Sequence, residues 1–278
     1  MIEVSNLTKK YGDHVAVNNL SFTMKDGRIY GFLGPNGAGK STTMNIITGC
    51  LAATAGDVKI GGFDIFEEPE KAKAKFGYLP ELPPLYTGRT PREYLRFVAE
   101  AKRVPKAEIK DEINRVMEKA GISDVADRLI GNLSKGYKQR VGIAQALLGN
   151  PDIIILDEPT VGLDPLQIIE IRDLIKSLGG EHTVVLSSHI LSEVQAVCDE
   201  VIVISEGSLI ANDTIENLKE RFKGANTGET SLEDIFIDLL KNPDKYKSEQ
   251  GNAAAAATAE ADETSEAAAA TVGEEGET

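Results

Sequence analysis

The sequence predicts an α/β fold on three observations. Short apolar runs alternate with helix-compatible segments, a glycine-rich stretch joins one such run to a helix, and adjacent carboxylates close another. At 278 residues, with 41% hydrophobic and 27% charged side chains, the composition is globular and the chain can bury a sizeable core without disulfides or structural metals. No apolar run approaches the roughly 18 residues of a membrane span, and MIEVSNLTKKYG lacks the pattern of a secretory leader, so a cytoplasmic protein is expected.

Taken in order, Ile2 to Leu7 reads as an edge strand, Tyr11-Gly12-Asp13 as a turn, and His14 to Phe22 as a second short strand. Asp26-Gly27 turns the chain into a buried strand, Arg28 to Leu33, which runs directly into Gly34-Pro35-Asn36-Gly37-Ala38-Gly39-Lys40-Ser41-Thr42. Thr43 to Cys50 follows as a helix, Gly56 to Phe63 as strand and turn, and Lys75 to Leu79 as a strand before a loop with Pro80, Pro83 and Pro84. Over Arg92 to Arg103 and Lys106 to Ala120 the apolar spacing becomes helical, with Ile109, Ile113, Val116 and Ala120 on one face, which predicts a helical insertion of about forty residues. Lys138 to Leu148 is then a helix, Asp152 to Leu156 a buried strand, Gln167 to Leu178 a helix, and Thr183 to Ser187 a strand. Ser192 to Val197 reads as helix, Glu200 to Ser205 as strand, and Gly207 to Ile210 as the edge of a hairpin.

This pattern divides the chain into residues 1–212 with an insertion near 88–135, a small helical extension at 213–242 broken by Gly224 to Gly228, and a tail at 243–278. The tail is rich in alanine; its residues 251–278 carry seven acidic and no basic side chains and no large apolar side chain beyond Val272, so disorder is expected over most of it. It accounts for half of the net charge of −14, a balance that argues against nucleic acid as a partner. Cys50 and Cys198 both lie among apolar neighbours and read as packed, reduced thiols.

Gly34 to Ser41 satisfies G-x-x-x-x-G-K-[ST] between a predicted strand and a predicted helix. Gly37 and Gly39 allow backbone amides to face phosphate oxygens at a helix N-terminus; Asn36 and Ala38 complete the loop. Lys40 is placed to contact the β- and γ-phosphates, Ser41 to give a hydroxyl to Mg2+, and Thr42 to add a phosphate contact. Downstream, Ile153-Ile154-Ile155-Leu156-Asp157-Glu158 delivers two acids at a strand end. Asp157 suits the water network of the metal, and Glu158 suits a base for water attacking a γ-phosphate. These motifs alone choose neither ATP over GTP nor one mechanical task over another.

With Leu133-Ser134-Lys135-Gly136-Tyr137, Gly162-Leu163-Asp164 and His189 following in that order, residues 1–210 resemble the ATP-binding subunit of an ABC transporter, of the ABC-2-like exporter kind. The resemblance implies a P-loop ATPase core of ABC type, with an N-terminal antiparallel β subdomain and an inserted helical subdomain. It implies ATP as cofactor with Tyr11 stacked on adenine, and Ser134 and Gly136 contacting ATP held by another nucleotide-binding subunit in a head-to-tail dimer. It also implies Asp164 as a link between the two sites, His189 as a γ-phosphate contact, and a separate transmembrane permease that keeps the chain at the cytoplasmic side of the membrane. His14 and His182 acquire no role from it.

Two departures from the family pattern stand out. Lys135 and Tyr137 replace a glycine and a glutamine of the commonest signature, whereas Ser134 and Gly136 remain. In Tyr78-Leu79-Pro80-Glu81, Glu81 stands where a glutamine near the metal is usual; it keeps an oxygen acceptor and loses an amide donor. The rival readings are a soluble ATPase acting on ribosomes or DNA, and a regulatory nucleotide-binding protein of low turnover. The first is weakened by a single ATPase core without an extended basic tract, and the second by the intact Asp157-Glu158 pair.

Overall fold

The computed structural model describes residues 1–223 and 231–243. The expected break at Gly224 to Gly228 and the tail from residue 244 onward lie outside the described residues.

Two sheets share one core. The first is antiparallel, in the order β2-β1-β4-β5, from β1 (Ile2–Tyr11), β2 (His14–Met24), β4 (Ala55–Ile60) and β5 (Phe63–Asp64). The second runs β10-β9-β3-β8-β7-β6, from β3 (Ile29–Leu33), β6 (Phe76–Leu79), β7 (Ile153–Asp157), β8 (Thr183–Ser188), β9 (Glu200–Ser205) and β10 (Ser208–Thr214). Its strands are parallel except β10, which closes the edge as a hairpin with β9.

The continuous apolar runs of β3, β7 and β8 follow from burial on both faces, as parallel sheets require. Tyr30, Phe32, Ile153, Ile155 and Val185 face the antiparallel sheet, where Met44, Ile46 and Ile47 of α1 (Lys40–Ile47) join them. Ile29, Leu33, Ile154, Leu156, Val184 and Leu186 face the other way, toward the helices. Each such side chain, fully buried, contributes about 1.5–3 kcal/mol.

On that second face lie α3 (Pro91–Ala101), α4 (Ile109–Lys119), α5 (Lys135–Leu147), α6 (Pro165–Leu178) and α7 (Leu191–Val197). The helical insertion starts at a reciprocal cap: the Glu93 amide donates to Thr90 Oγ1 at 3.2 Å, and the Thr90 amide to Glu93 Oε2 at 3.1 Å. Ile109, Ile113, Val116 and Met117 form the buried stripe of α4 and continue the same core. Helices α8 (Ile215–Lys223) and α9 (Leu232–Lys241) cover its end through Leu218, Phe222, Ile235 and Leu239.

Several local expectations change. Strand β1 is interior, because β4 returns after α1 to pair with its free side, and β2 runs to Met24. Helix α1 begins at Lys40, inside the motif, since Gly39 serves as a left-handed N-cap. Helix α5 begins at Lys135, where the Ser134 hydroxyl accepts from the Tyr137 amide at 3.3 Å. A six-residue helix, α2 (Pro69–Ala74), has too few turns to show a period. Cys198 is buried, and burial raises its thiol well above the ordinary range, but Cys50 is exposed in the turn after α1.

Candidate functional site

The loop 34–39 leaves β3 at its carboxyl end and is held by close backbone approach. Gly39 has φ +97°, and a Cβ there would lie 2.5 Å from the Ala16 carbonyl oxygen. At Gly34 a Cβ would lie 2.5 Å from the Ile204 carbonyl oxygen. The Lys40 ammonium folds over the loop and donates to the carbonyls of Gly34 at 2.7 Å and Pro35 at 3.2 Å. Burial lowers its pKa, against the opposing pull of Glu158 and Asp157. No acidic residue occupies the first turn of α1, so its amide end keeps a positive potential.

A cavity of about 520 Å³ opens above this loop. Tyr11, Asn36, Gly37, Gly39, Lys40, Ser41, Thr42, Glu81, Glu158 and His189 all line it. Ala38 does not. Its side chain is buried, its amide donates to Pro35 at 3.1 Å, and its carbonyl accepts from Gly207 at 3.0 Å.

The acid pair lies at the end of β7; Glu158 lines the cavity, whereas Asp157 is not part of its lining. Asp157 is buried and accepts from Ser187 Oγ at 2.5 Å, in register with it on β8. Burial raises the Asp157 pKa; the Ser187 hydrogen bond lowers it, Glu81 adds to the rise and Lys40 opposes it. Glu158 turns away from the strand with φ +48°, a left-handed conformation costing a non-glycine residue about 1–2 kcal/mol. That turn brings its carboxylate to His189, with Nδ1 3.0 Å from Oε2 and 3.1 Å from Oε1. The Glu158 amide donates to Ser187 through both its carbonyl, at 3.2 Å, and its hydroxyl, at 3.0 Å.

The remaining sequence candidates form a second cluster, where the N-termini of α5 and α6 meet. Ser134 caps α5 and is exposed, and Gly136 is buried against the Gln167 side chain. Asp164 caps α6, accepting from the Gln167 amide at 3.0 Å. None of the three lines the cavity of its own chain. Tyr137 donates its hydroxyl to Asp124 at 2.8 Å and so ties α5 to the short turn at Ser123–Val125.

Three contributors escaped the sequence reading. His14 lines the cavity because the Gly12-Asp13 turn pairs it with Tyr11; that hairpin turn was its only local signal. Ser187 reaches Asp157, and Glu193 reaches Thr160 and Ser188, which flank the Glu158–His189 pair, through contacts between distant segments that leave no mark in the local pattern.

Among the described residues, no group of three or more His, Cys, Asp or Glu side chains could hold a metal by itself. The hard oxygen donors here, the Ser41 hydroxyl with Asp157 and Glu81, fit a small divalent cation that keeps waters and substrate phosphates as its other ligands.

Fold and site define a P-loop nucleotide-binding protein. A sequence model of the ABC transporter family matches residues 17–161. Bacitracin transport ATP-binding protein BcrA of Bacillus licheniformis is 42% identical over 223 residues, 80% of this chain and 72% of that protein. Among solved structures, an ATP-binding subunit of an ABC transporter aligns with a TM-score of 0.76 and 30% identity, covering 86% of this chain and 99% of the other. The dimeric post-hydrolysis state of the ATP-binding cassette MJ0796, bound to ADP and Pi, aligns with a TM-score of 0.69 and 28% identity, covering 77% and 99%. The chain belongs to the ATP-binding subunits of ABC transporters, with that family's P-loop ATPase fold, N-terminal β subdomain and helical subdomain.

Proposed function

We propose that this chain is the Mg2+-dependent ATPase motor of an exporter of the ABC-2-like kind, working as a head-to-tail dimer beneath a separate transmembrane permease. Residues 1–212 form the nucleotide-binding unit and 213–242 a C-terminal extension. The observation that carries the reading is the convergence of Lys40, Glu158 and His189 on one cavity, with Asp157 buried beside it and close enough to act on the Lys40 charge, and with the Ser134–Gly136 cluster outside its lining. A signature outside the lining of its own chain's cavity suits a site completed by a second copy.

Tyr11 stacks on adenine, and Asn36, Gly37 and Gly39 with Thr42 cradle the phosphates. Lys40 exchanges its loop carbonyls for phosphate oxygens. Ser41, with Asp157 and Glu81 acting through water, would hold Mg2+, which when bound would supply charge neutralisation at the phosphates. Glu158 accepts the proton of the attacking water, while His189 orients that carboxylate and contacts the γ-phosphate. In the closed dimer Ser134 and Gly136 contact ATP of the opposite subunit, and Asp164 links the two sites. Loss of the γ-phosphate removes those contacts and reopens the dimer.

No helix among the described residues is long and apolar enough to cross a membrane. Next to Glu81 in sequence, Leu82 is 82% exposed, and Tyr86 packs against Phe97 with the rings tilted by 39° and both about half exposed; these exposed apolar side chains suit contact with a permease. The relation to a bacitracin transport protein supports an antibiotic-transport branch.

The test is to isolate the protein from native membranes with its associated polypeptides and measure ATP turnover. Recovery with a multispanning subunit, and a turnover reduced about 10²–10⁴-fold by Glu158→Gln, is the expected result. Recovery only with ribosomes or DNA machinery would overturn the transporter reading in favour of a soluble ATPase.

A further inference from the structure

Glu193, on α7, is 6% exposed, and among the described residues it forms no ion pair. Its hydrogen-bond donors are two hydroxyls. Thr160 Oγ1 donates to Oε2 at 2.5 Å, and Ser188 Oγ donates to the same oxygen at 3.4 Å. Ser188 Oγ in turn accepts from the Ile190 amide at 3.0 Å. A carboxylate enclosed without a cation is costly, and an apolar residue would fill the space at less expense.

Its position shows what the carboxylate does. Thr160 lies two residues beyond Glu158, and Ser188 immediately precedes His189. The two segments leave adjacent strands, and the ladder between β7 and β8 ends at the pair Asp157↔Ser187. Beyond that point Glu158 and His189 are joined to each other at 3.0 Å. One oxygen of Glu193 holds both segments behind them.

We infer that Glu193 is a positioning residue that fixes the Glu158–His189 pair by clamping Thr160 and Ser188. This rests on the proposal that the pair performs hydrolysis. Because Thr160 belongs to the turn leading to Asp164, and Ser188 is the last residue of β8, paired with Leu33, the clamp ties that turn to the strand end that carries His189. Loosening it displaces the base from its water without touching the phosphate loop, so turnover falls while nucleotide affinity stays.

The experiment uses the full 278-residue chain. Steady-state ATP turnover is measured for Glu193→Ala, Glu193→Gln and Thr160→Val, with Glu158→Gln as reference. Glu193→Ala lowers kcat about tenfold, in line with the cost of small displacements at a reacting centre, and leaves KM for ATP within about twofold. Glu193→Gln, whose amide oxygen still accepts from both hydroxyls, retains kcat within about twofold. Thr160→Val removes one donor without removing the carboxylate, serves if Glu193→Ala does not fold, and lowers kcat about threefold.

A second readout is independent of turnover. The chain has three histidines, so their ring proton–carbon signals are assignable by substitution. In Glu193→Ala, or in Thr160→Val where that variant must serve, the His189 signal moves toward its position in Glu158→Gln while that of buried His182 stays. Unchanged kcat together with an unmoved His189 signal overturns the clamp, as does a rise in KM in place of the fall in kcat. If Glu158→Gln itself retains turnover, the hydrolytic role of the pair fails, and the His189 signal alone then decides whether Glu193 holds it.

Discussion

Ser187→Ala tests the structural support of the acid pair. The hydroxyl is fully buried; it donates to Asp157 Oδ1 at 2.5 Å and accepts from the Glu158 amide at 3.0 Å. The amide keeps a second acceptor, the Ser187 carbonyl at 3.2 Å, so most of the loss falls on the carboxylate. A hydrogen bond to a charged group contributes about 1.5–3 kcal/mol, which sets the expected destabilisation at about 2–3 kcal/mol. At about 2–4 °C per kcal/mol, the thermal midpoint falls by roughly 4–12 °C.

The sign with pH follows from Asp157. Burial raises its pKa and the Ser187 bond restrains that rise, so losing the bond raises it further. An acid whose folded pKa lies above its unfolded value, about 3.9, holds its full stabilisation below that value and loses it as pH climbs toward the folded one. The Ser187→Ala deficit is therefore smallest near pH 4 and largest near pH 7. Urea unfolding at both values measures it. In an Asp157→Asn background the acceptor is neutral, and the deficit falls to about 1 kcal/mol. A deficit below about 0.5 kcal/mol at pH 7, or one equally large at pH 4 and in the Asn background, refutes the reasoning.

Four further outcomes are expected. Asp157→Asn removes a buried charge whose cost grows above about pH 4, so the nucleotide-free protein gains stability over wild type at neutral pH, and calorimetry shows that gain vanishing in acid. Gly39→Ala, at φ +97° and against the Ala16 carbonyl, costs about 2 kcal/mol or more and weakens ATP binding by calorimetric titration; a wild-type Kd and midpoint would count against the loop geometry. If Tyr11, which lines the cavity, stacks on the base as proposed, Tyr11→Ala weakens ATP more than tenfold and Tyr11→Phe hardly at all, since stacking uses the ring and not the hydroxyl; equal losses in both would remove the stacking role. Tyr137→Phe loses one exposed bond to Asp124 and costs about 0.5–1 kcal/mol in urea unfolding; a larger loss would give Tyr137 more than this tether.

Much of the fold was legible because burial on both faces writes itself into composition. The strands β3, β7 and β8 are buried along their whole five- or six-residue length, and the apolar runs at their centres have no polar alternation, which only a covered sheet tolerates. The stripe of Ile109, Ile113, Val116 and Met117 likewise shows the inward face of α4. Strand order is different. That β1 is interior depends on β4 returning some fifty residues later, and α2 is shorter than two helical turns, too little for a period to register. The exposure of Cys50 depends on how the turn after α1 sits on the surface, which its apolar neighbours in sequence do not specify.

For the site, the sequence by itself determined the chemistry held in contiguous residues: the loop from Gly34 to Thr42, whose amides and lysine act through local backbone geometry, and the acids Asp157 and Glu158 at one strand end. Tertiary structure decided what those groups face. It set Glu158 on His189, buried Asp157 under Ser187, brought His14 into the cavity, and tied Thr160 to Ser188 through Glu193. It also left Ser134, Gly136 and Asp164 outside the cavity lining. Local spacing carries the conformation of a turn or a helix end, because those are fixed over a few residues. A hydrogen bond between strands thirty residues apart depends on register and twist across the whole sheet, and only the folded chain specifies them.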